Sequence, residues 1–223
     1  MNVELIEYLA GFMTEARKEK IEQVLSERTR HLTVVLEDIY HPHNASAIIR
    51  NCECFGIQDM HVIEKKFIYK PNKDVVRGSL KWVKLHHHRD TDNNTLDCVK
   101  ELKKNGYKIA ATSLQEDTVS LEDLPVDHKL AIVFGTEDNG VSAELLEHAD
   151  YTVKIPMCGF TQSLNVSVSA ALCIQELSNR LKKTDIQWQL TDDEKNELRL
   201  DWYKQSVRSP DHILKRYNEN KQG

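Results

Sequence analysis

The sequence predicts an α/β protein in which a mostly parallel sheet is covered by helices on both faces. Short aliphatic segments alternate with segments of helical apolar spacing along most of the chain. The most apolar segment, Leu130 to Phe134, runs into a loop that contains two glycines. A further strand, Tyr151 to Ile155, leads through Pro156 and Gly159 into a long helix. A strand that delivers such a loop to a helix start is where α/β proteins hold ligands.

The individual elements follow from this alternation. Strands are predicted at 33–36, 60–63, 82–85, 107–111, 130–134 and 151–155, and helices at 1–30, 44–55, 95–104, from Ser142, and from an N-cap at Ser163 to Leu181. Gly56 is expected to end the second helix as its C′ residue. A long basic connection, 64–80, and an acidic loop, 115–128, join the elements.

Length and composition indicate one α/β domain with terminal extensions. The 223 residues have a mass of 25.8 kDa and a mean hydropathy of −0.54, as expected for a soluble globular protein. We predict a helical extension at 1–30, the domain at 31–183 and a helical extension at 184–223. No membrane span or signal peptide is expected. Five cysteines without framework spacing predict reduced thiols and a cytoplasmic location.

Charge is unevenly distributed along the chain. The net charge is −5, yet residues 61–90 contain eight Lys or Arg against three Asp or Glu. Residues 112–150 contain ten acids against one base. Such asymmetry permits a basic face for RNA on an acidic protein. Ordinary solvated surface explains both blocks equally well.

The first constellation of polar residues is Pro42-His43-Asn44-x-Ser46-Ala47-Ile48-x-Arg50. Six residues correspond to about 600° of helical rotation, so Asn44 and Arg50 face different sides unless Asn44 lies in the cap. With Asn44 near the cap, its amide could bind backbone or substrate while Arg50 extends from the second turn. The alternative is a capping asparagine and a surface cation.

Two further constellations lie at loop-to-helix junctions. One is Phe134-Gly135-x-Glu137-x-x-Gly140, where two glycines let the backbone approach a bound molecule. The other is Pro156-Met157-x-Gly159-x-x-Gln162-Ser163-Leu164-Asn165-Val166-Ser167, with polar groups at the helix start. Taken singly, each is also compatible with an ordinary α/β turn or a capped helix.

Other features carry less weight. The consecutive residues His86, His87 and His88 alternate faces on a strand and cannot all bind one ion, so no metal is expected. Ser163 lacks the Gly-x-Ser-x-Gly setting of a hydrolase nucleophile. Trp188 and Trp202 are interpreted as packing anchors rather than base-stacking platforms.

Together the three constellations resemble the motifs of the SpoU (TrmH-like) ribose 2′-O-methyltransferases of the SPOUT superfamily. They agree in sequence and spacing between residues 42 and 167, and Gly78-Ser79-x-x-Trp82 adds a lesser match. The resemblance implies a C-terminal deep trefoil knot, S-adenosylmethionine as cofactor, and a homodimer. It also implies cofactor contacts from Thr112, Gly135, Ile155 and Leu164.

The resemblance further implies a catalytic set, namely Asn44, Arg50, Glu137, Ser163 and Asn165. In the family view the arginine accepts the proton of the ribose hydroxyl, helped by an RNA phosphate. A guanidinium is effectively never deprotonated in proteins. An equally physical role for Arg50 is to grip a phosphate and stabilise developing negative charge.

Within the family, the Pro-His-Asn start and the basic N-terminal helix resemble the branch that methylates the D-loop guanosine at position 18 of tRNA. This implies RNA contacts from Arg17, Lys20, Arg28, His43 and Arg180. Where that branch tends to carry two arginines, this chain has Ser178 and Arg180, which leaves the exact tRNA contacts open. The alternatives are a ribosomal RNA 2′-O-methyltransferase and a catalytically silent RNA-binding protein.

Overall fold

A computed structural model describes residues 3–114 and 118–222 of the chain. It divides into two compact units, one formed by Met1–Arg28 with Gln189–Gly223 and the other by Thr29–Trp188. The second unit contains all three motifs. None of the helices in the described ranges has the length and apolar character that crossing a bilayer requires.

The larger unit is built on a parallel sheet. Its strands are β1 (Leu32–Glu37), β2 (Asp59–Ile63), β3 (Lys84–His88), β4 (Lys108–Thr112), β5 (Val119–Ser120), β6 (Leu130–Phe134) and β7 (Tyr151–Lys154). They lie in the order β3-β2-β1-β6-β4-β7-β5, and every pairing is parallel. The predicted α/β class with a mostly parallel sheet is confirmed.

The helices of this unit cover both faces of the sheet. They are α3 (Pro42–Cys54), α4 (Lys73–Val76), α5 (Asn94–Lys104), α6 (Ala143–Leu146) and α7 (Val166–Leu181). The alternation of strand side chains separates two cores: Val34 packs with the α3 and α7 residues, whereas Val35 packs with those of α5 and α6. Because α3 and α7 share a face, the first and third motifs lie side by side.

The smaller unit contains helices from both ends of the chain. These are α1 (Val3–Ala10), α2 (Glu15–Ser26), α8 (Asp192–Ser206) and α9 (Pro210–Gln222). The guanidinium of Arg199 on α8 binds both carboxylate oxygens of Glu22 on α2, each at 2.6 Å. Trp202 is buried here, as expected for a packing anchor.

Several predicted boundaries were wrong. The single helix at 1–30 is two helices, because Thr14 caps α2 by accepting a hydrogen bond from the Arg17 amide. The strand predicted at 82–85 begins at Lys84, since Ser79–Lys81 forms a 3₁₀ turn that Trp82 ends. The acidic loop contains β5, and its residues 115–117 lie outside the described ranges.

Other local predictions were confirmed. Gly56 follows the C-cap of α3 with a φ of +84°, a conformation that glycine adopts at little cost. Ser142 caps α6, where its side chain accepts a hydrogen bond from the Leu145 amide.

Candidate active site

A cavity of about 610 Å³ lies at the carboxyl ends of β4, β6 and β7. Its wall is formed by the loops that follow these strands and by the start of α7. The wall includes all four predicted cofactor residues, Thr112, Gly135, Ile155 and Leu164. Loops at the carboxyl ends of parallel strands are the usual ligand site of an open α/β sheet. The role of each residue stays a prediction.

The loop after β6 is closed on itself by backbone hydrogen bonds. The Thr136 amide donates to the Gly140 carbonyl at 3.0 Å, and the Gly140 amide donates back at 2.9 Å. A Cβ on Gly135 would lie 2.0 Å from the Gly140 carbonyl oxygen, a distance that no real Cβ contact reaches. Gly140 itself has a φ of +67°. The fold of the loop therefore requires glycine at both ends.

A buried acid anchors the exit of this loop. Glu37, at the end of β1, accepts hydrogen bonds from the Ser142 amide at 2.8 Å and the Ser142 hydroxyl at 2.6 Å. Its carboxylate also accepts one from the Thr95 hydroxyl at 3.0 Å and lies 3.3 Å from the Lys65 ammonium. Sequence analysis missed Glu37, although an acid at the end of an aliphatic strand was a visible signal.

Three predicted catalytic residues form one hydrogen-bonded chain. The Asn44 amide nitrogen donates to Glu137 Oε1, and the Asn165 amide nitrogen donates to Asn44 Oδ1 at 3.3 Å. Asn165 Oδ1 in turn accepts from the Ser167 amide at 2.8 Å. This hydrogen-bonded chain joins one residue from each of the three motifs.

This geometry corrects the predicted cap at Ser163 and places Asn44 near the cap of α3 rather than at it. Asn165, and not Ser163, is the N-cap of α7, so the helix begins at Val166. His41 holds the cap position of α3, and Asn44 lies buried within the first turn. Ser163 is exposed on the cavity wall.

Arg50 projects from the middle of α3 into solvent. Within the described ranges its side chain makes no hydrogen bond or ion pair. The next residue, Asn51, donates to the Ser167 carbonyl at 3.3 Å, so this part of α3 lies beside the first turn of α7. The guanidinium is thus available to a ligand near the site.

The five predicted RNA-binding residues divide into two groups. Arg17, Lys20 and His43 are exposed. Arg28 is fully buried, with its guanidinium 5.2 Å from the centre of the Trp202 ring. Arg180 donates to the carbonyls of Leu121 at 2.9 Å and Leu124 at 2.7 Å. The burial of Arg28 and the internal hydrogen bonds of Arg180 leave these two guanidinium groups less available to RNA than the other three side chains. The RNA contacts of all five residues stay predictions.

The histidines of β3 alternate faces as predicted. His86 bonds Asp59 at 2.9 Å, His87 bonds Glu64 at 3.1 Å, and His88 bonds His61 at 2.9 Å. Sequence analysis missed the position of His61, which depends on the pairing of β2 with β3.

Around His61, burial favours the neutral form of three side chains. The pKa of His61 is lowered to about 3, mainly by burial and further by the nearby His86 and His88. Burial also lowers the pKa of His88 and raises that of the Cys98 thiol. One potential ligand atom from each of His61, His88 and Cys98 lies within 4.8 Å of the others.

The fold and the cavity define an α/β protein with a small-molecule site at the carboxyl ends of its strands. A family model confirms and sharpens this class: the SpoU rRNA Methylase family model matches residues 31–175. The chain belongs to this family.

Individual relatives agree. The chain is 47% identical to the tRNA (guanosine(18)-2′-O)-methyltransferase of Borreliella burgdorferi over 201 residues. This match covers 90% of each protein. It resembles the crystal structure of the Aquifex aeolicus TrmH/SpoU tRNA modifying enzyme with a TM-score of 0.78 and 29% identity, over 87% of this chain and 98% of the other.

A more distant structure shares the fold alone. The SpoU methyltransferase AviRb from Streptomyces viridochromogenes, in complex with the cofactor AdoMet, matches with a TM-score of 0.57 at 22% identity. The match covers 72% of this chain and 62% of that one.

Proposed function

We propose that this protein transfers a methyl group from S-adenosylmethionine to the ribose 2′-hydroxyl of guanosine 18 in tRNA. Family membership and the 47% identity to an enzyme of that name support the reaction and the substrate. The structural observation that carries the proposal is the hydrogen-bonded chain of Glu137, Asn44 and Asn165 at the cavity.

The cavity fits the cofactor in size and lining. Its volume of about 610 Å³ lies within the roughly 300–1,000 Å³ of small-molecule pockets. Gly135 lets the loop after β6 close against its own backbone, and this closed loop forms part of the cavity wall. Ile155 and Leu164 supply apolar surface, and Thr112 and Ser163 supply hydroxyl groups. These residues would hold the cofactor, which supplies an activated methyl group on a sulfonium centre.

The protein must position the ribose and help the hydroxyl lose its proton. Asn44, fixed between Glu137 and Asn165, is held in one orientation and can align a sugar hydroxyl. Correct alignment lowers a barrier by roughly 7–11 kcal/mol at best. The free guanidinium of Arg50 can bind an RNA phosphate bidentately and stabilise negative charge as it develops on the 2′-oxygen.

A homodimer is the second part of the proposal. Val168 and Leu172 lie four residues apart on α7, and Leu164 lies just before its N-cap. Each is at least 40% exposed, and Phe160 is fully exposed. A large apolar stripe on a water-facing helix favours burial against another chain. We propose that a second copy covers it, so that the partner lies beside the cavity. Light scattering should give twice the mass of 25.8 kDa, and Leu172→Glu should give the monomer.

Three finer features complete the proposal. The deep trefoil knot is supported by the motif match and by family membership. The exposed Arg17 and Lys20 of α2 suit phosphate contacts. The five free cysteines and a tRNA substrate favour the cytoplasm.

The decisive experiment uses two tRNA transcripts that differ by one oxygen atom. Purified protein, radiolabelled S-adenosylmethionine and tRNA with guanosine at position 18 should yield 2′-O-methylguanosine, identified by nucleoside mass spectrometry. The same tRNA with 2′-deoxyguanosine at that position should accept no methyl group. Methylation of both would indicate a base as target. Methylation of ribosomal RNA alone, or of neither RNA, would favour the two alternative functions.

A companion variant tests Arg50. Because its side chain is exposed and unpaired within the described residues, Arg50→Ala should leave folding and cofactor affinity nearly unchanged. Loss of the charge should lower kcat roughly 10²–10³-fold. Arg50→Lys should restore part of the activity, since a point charge lacks the planar fork. Equal loss of turnover and cofactor affinity in Arg50→Ala would make the residue structural.

A further inference from the structure

An exposed aromatic cluster lies beside the first motif. The ring of Tyr40 meets the rings of His41 and Phe67 nearly edge-on, with centroid distances of 4.6 and 4.7 Å. Tyr40 is 55% exposed, and the neighbouring Ile68 is 64% exposed. The cluster is formed by the segments that leave the carboxyl ends of β1 and β2, two adjacent parallel strands.

A strained acid holds these two segments together. Asp38 has a φ of +54°, which a residue other than glycine rarely adopts. Its Oδ1 accepts backbone hydrogen bonds from Lys65 at 3.0 Å, Lys66 at 2.8 Å and Phe67 at 3.0 Å. The position of Phe67 against Tyr40 is thereby fixed. Strain that is kept in this way is often found at functional sites.

The cluster is one helical turn from the hydrogen-bonded chain of the active site. His41 is the N-cap of α3, and its carbonyl accepts a hydrogen bond from the Asn44 amide at 3.0 Å. Asn44 in turn bonds Glu137 and Asn165. A ligand group on Tyr40 would therefore lie close to a ribose held at Asn44.

The surrounding charge is complementary to nucleic acid. Lys66 and Lys70 are exposed, and neither has an ion pair within the described ranges. His43, which precedes Asn44 in the sequence, is also exposed. Free ammonium groups beside exposed rings form the combination that binds unpaired nucleotides, through phosphate contacts and base stacking.

We propose that Tyr40, with Phe67 and His41 behind it, is the platform on which an unpaired base of the tRNA stacks, at or next to the methylated nucleotide. This inference rests on the proposed function, because the base must belong to the RNA whose ribose reaches Asn44. Stacking there would hold the target out of the tRNA fold while the 2′-hydroxyl is aligned.

Fluorescence provides a test that does not require turnover. The tRNA carries 2-aminopurine in place of the target guanine in one transcript and of its neighbour in another. Wild-type protein should quench the emission of at least one probe, and Tyr40→Ala should lose that quenching while Tyr40→Phe keeps it. Absence of quenching by wild-type protein that methylates unlabelled tRNA would overturn the platform and leave the proposed function intact.

Kinetics provides the second measurement. Tyr40→Ala should lower kcat/KM for tRNA roughly 5- to 150-fold, the effect of losing one stacked base. Cofactor affinity and melting temperature should stay unchanged, because Tyr40 is exposed. Ile68→Ala is the matched control, an exposed apolar neighbour without a ring, and should behave as wild type. Equal losses in Tyr40→Ala and Ile68→Ala would show general apolar contact and contradict stacking.

Discussion

The two halves of the sheet differ in the part of the chain that shapes them: backbone in one half, and buried ionisable side chains in the other. In the half formed by β4, β6 and β7, the strands end in loops whose backbone and small residues line the cavity. In the half formed by β1, β2 and β3, buried ionisable side chains pair with neighbouring side chains: Asp59 with Arg30 and His86, His61 with His88, and Glu64 with His87. The first half depends on the path of the chain, whereas the second depends on protonation and on strand register.

The difference has consequences for substitution and for pH. A backbone-lined cavity is sensitive to an added atom where its loop is tightly closed, as at Gly135, and is little affected by titration. A network of buried carboxylates and imidazoles should respond to pH, since each charged or neutral state is stabilised by its neighbours. The experiments below test this contrast.

The largest effect is expected at Gly135. In Gly135→Ala the new Cβ would lie 2.0 Å from the Gly140 carbonyl oxygen, so the loop must open. Overpacking costs up to about 3 kcal/mol in typical cases, and we therefore expect cofactor affinity to fall about 100-fold by calorimetry. Gly159→Ala is the control, because its Cβ would have no neighbour closer than 3.9 Å. Similar affinities for both variants would contradict a backbone-built cavity.

A smaller effect is expected at Asn165. Serine is as good an N-cap as asparagine, so Asn165→Ser should change the free energy of unfolding by less than about 0.5 kcal/mol. The variant loses the amide that donates to Asn44. Misplacement of a positioning group can cost up to roughly 100-fold, and we expect kcat/KM to fall about 10- to 100-fold. Wild-type activity in Asn165→Ser would limit Asn165 to capping.

The ionisable half should lose stability as pH falls. The unfolded chain protonates His61 below its ordinary pKa of 6.5, whereas the folded protein does so only near a pKa of about 3. Stability is therefore complete above about pH 6.5 and declines toward pH 3, by up to ~1.4 kcal/mol per pH unit for each such histidine. His88 and His31, whose pKa values are also lowered by burial, act in the same direction.

Urea unfolding at pH 7, 6 and 5 measures this decline. The titratable groups near His61 are His86, His88, Asp59 and Cys98. His61→Gln removes the titrating imidazole and should flatten the pH dependence, whatever its effect on absolute stability. The same slope in wild type and variant would exclude His61 as its source.

The smallest effects concern tRNA affinity. They distinguish cations that face solvent from cations that bind backbone carbonyls inside the protein. Lys20→Ala should weaken binding only a few-fold and reduce the slope of log Kd against log salt by about 0.7–0.9, for one lost phosphate contact. Arg180→Ala should leave that slope unchanged and lower the free energy of unfolding by about 1–3 kcal/mol, since two carbonyl hydrogen bonds are lost. A reduced slope for Arg180→Ala would instead support its predicted RNA contact.

The two halves also differ in how far the sequence reveals them. The order of strands and glycine loops identified the cavity wall, because Gly135 and Gly140 mark backbone that only glycine can form. The predicted α/β sheet follows from the same alternation of elements. The pairing of His61 with His88 was not predictable, since it depends on the register between two strands.

Cations were the least predictable residues. An arginine gives the same signal in the sequence whether its guanidinium faces solvent, as in Arg50 on α3, or packs on a ring, as in Arg28 just after α2. The cap of α7 was misplaced for a related reason. Ser163 and Asn165 are both good caps, and only the path of the loop decides between them.

The link between Asn44 and Asn165 joins positions 121 residues apart. During synthesis, Asn44 leaves the ribosome long before Asn165, and until then its side-chain oxygen lacks the donor that Asn165 supplies. A product truncated ahead of α7 would thus contain the RNA-facing rings and most of the cavity wall, yet could not orient a sugar. Incomplete copies of this protein are expected to be inert rather than error-prone.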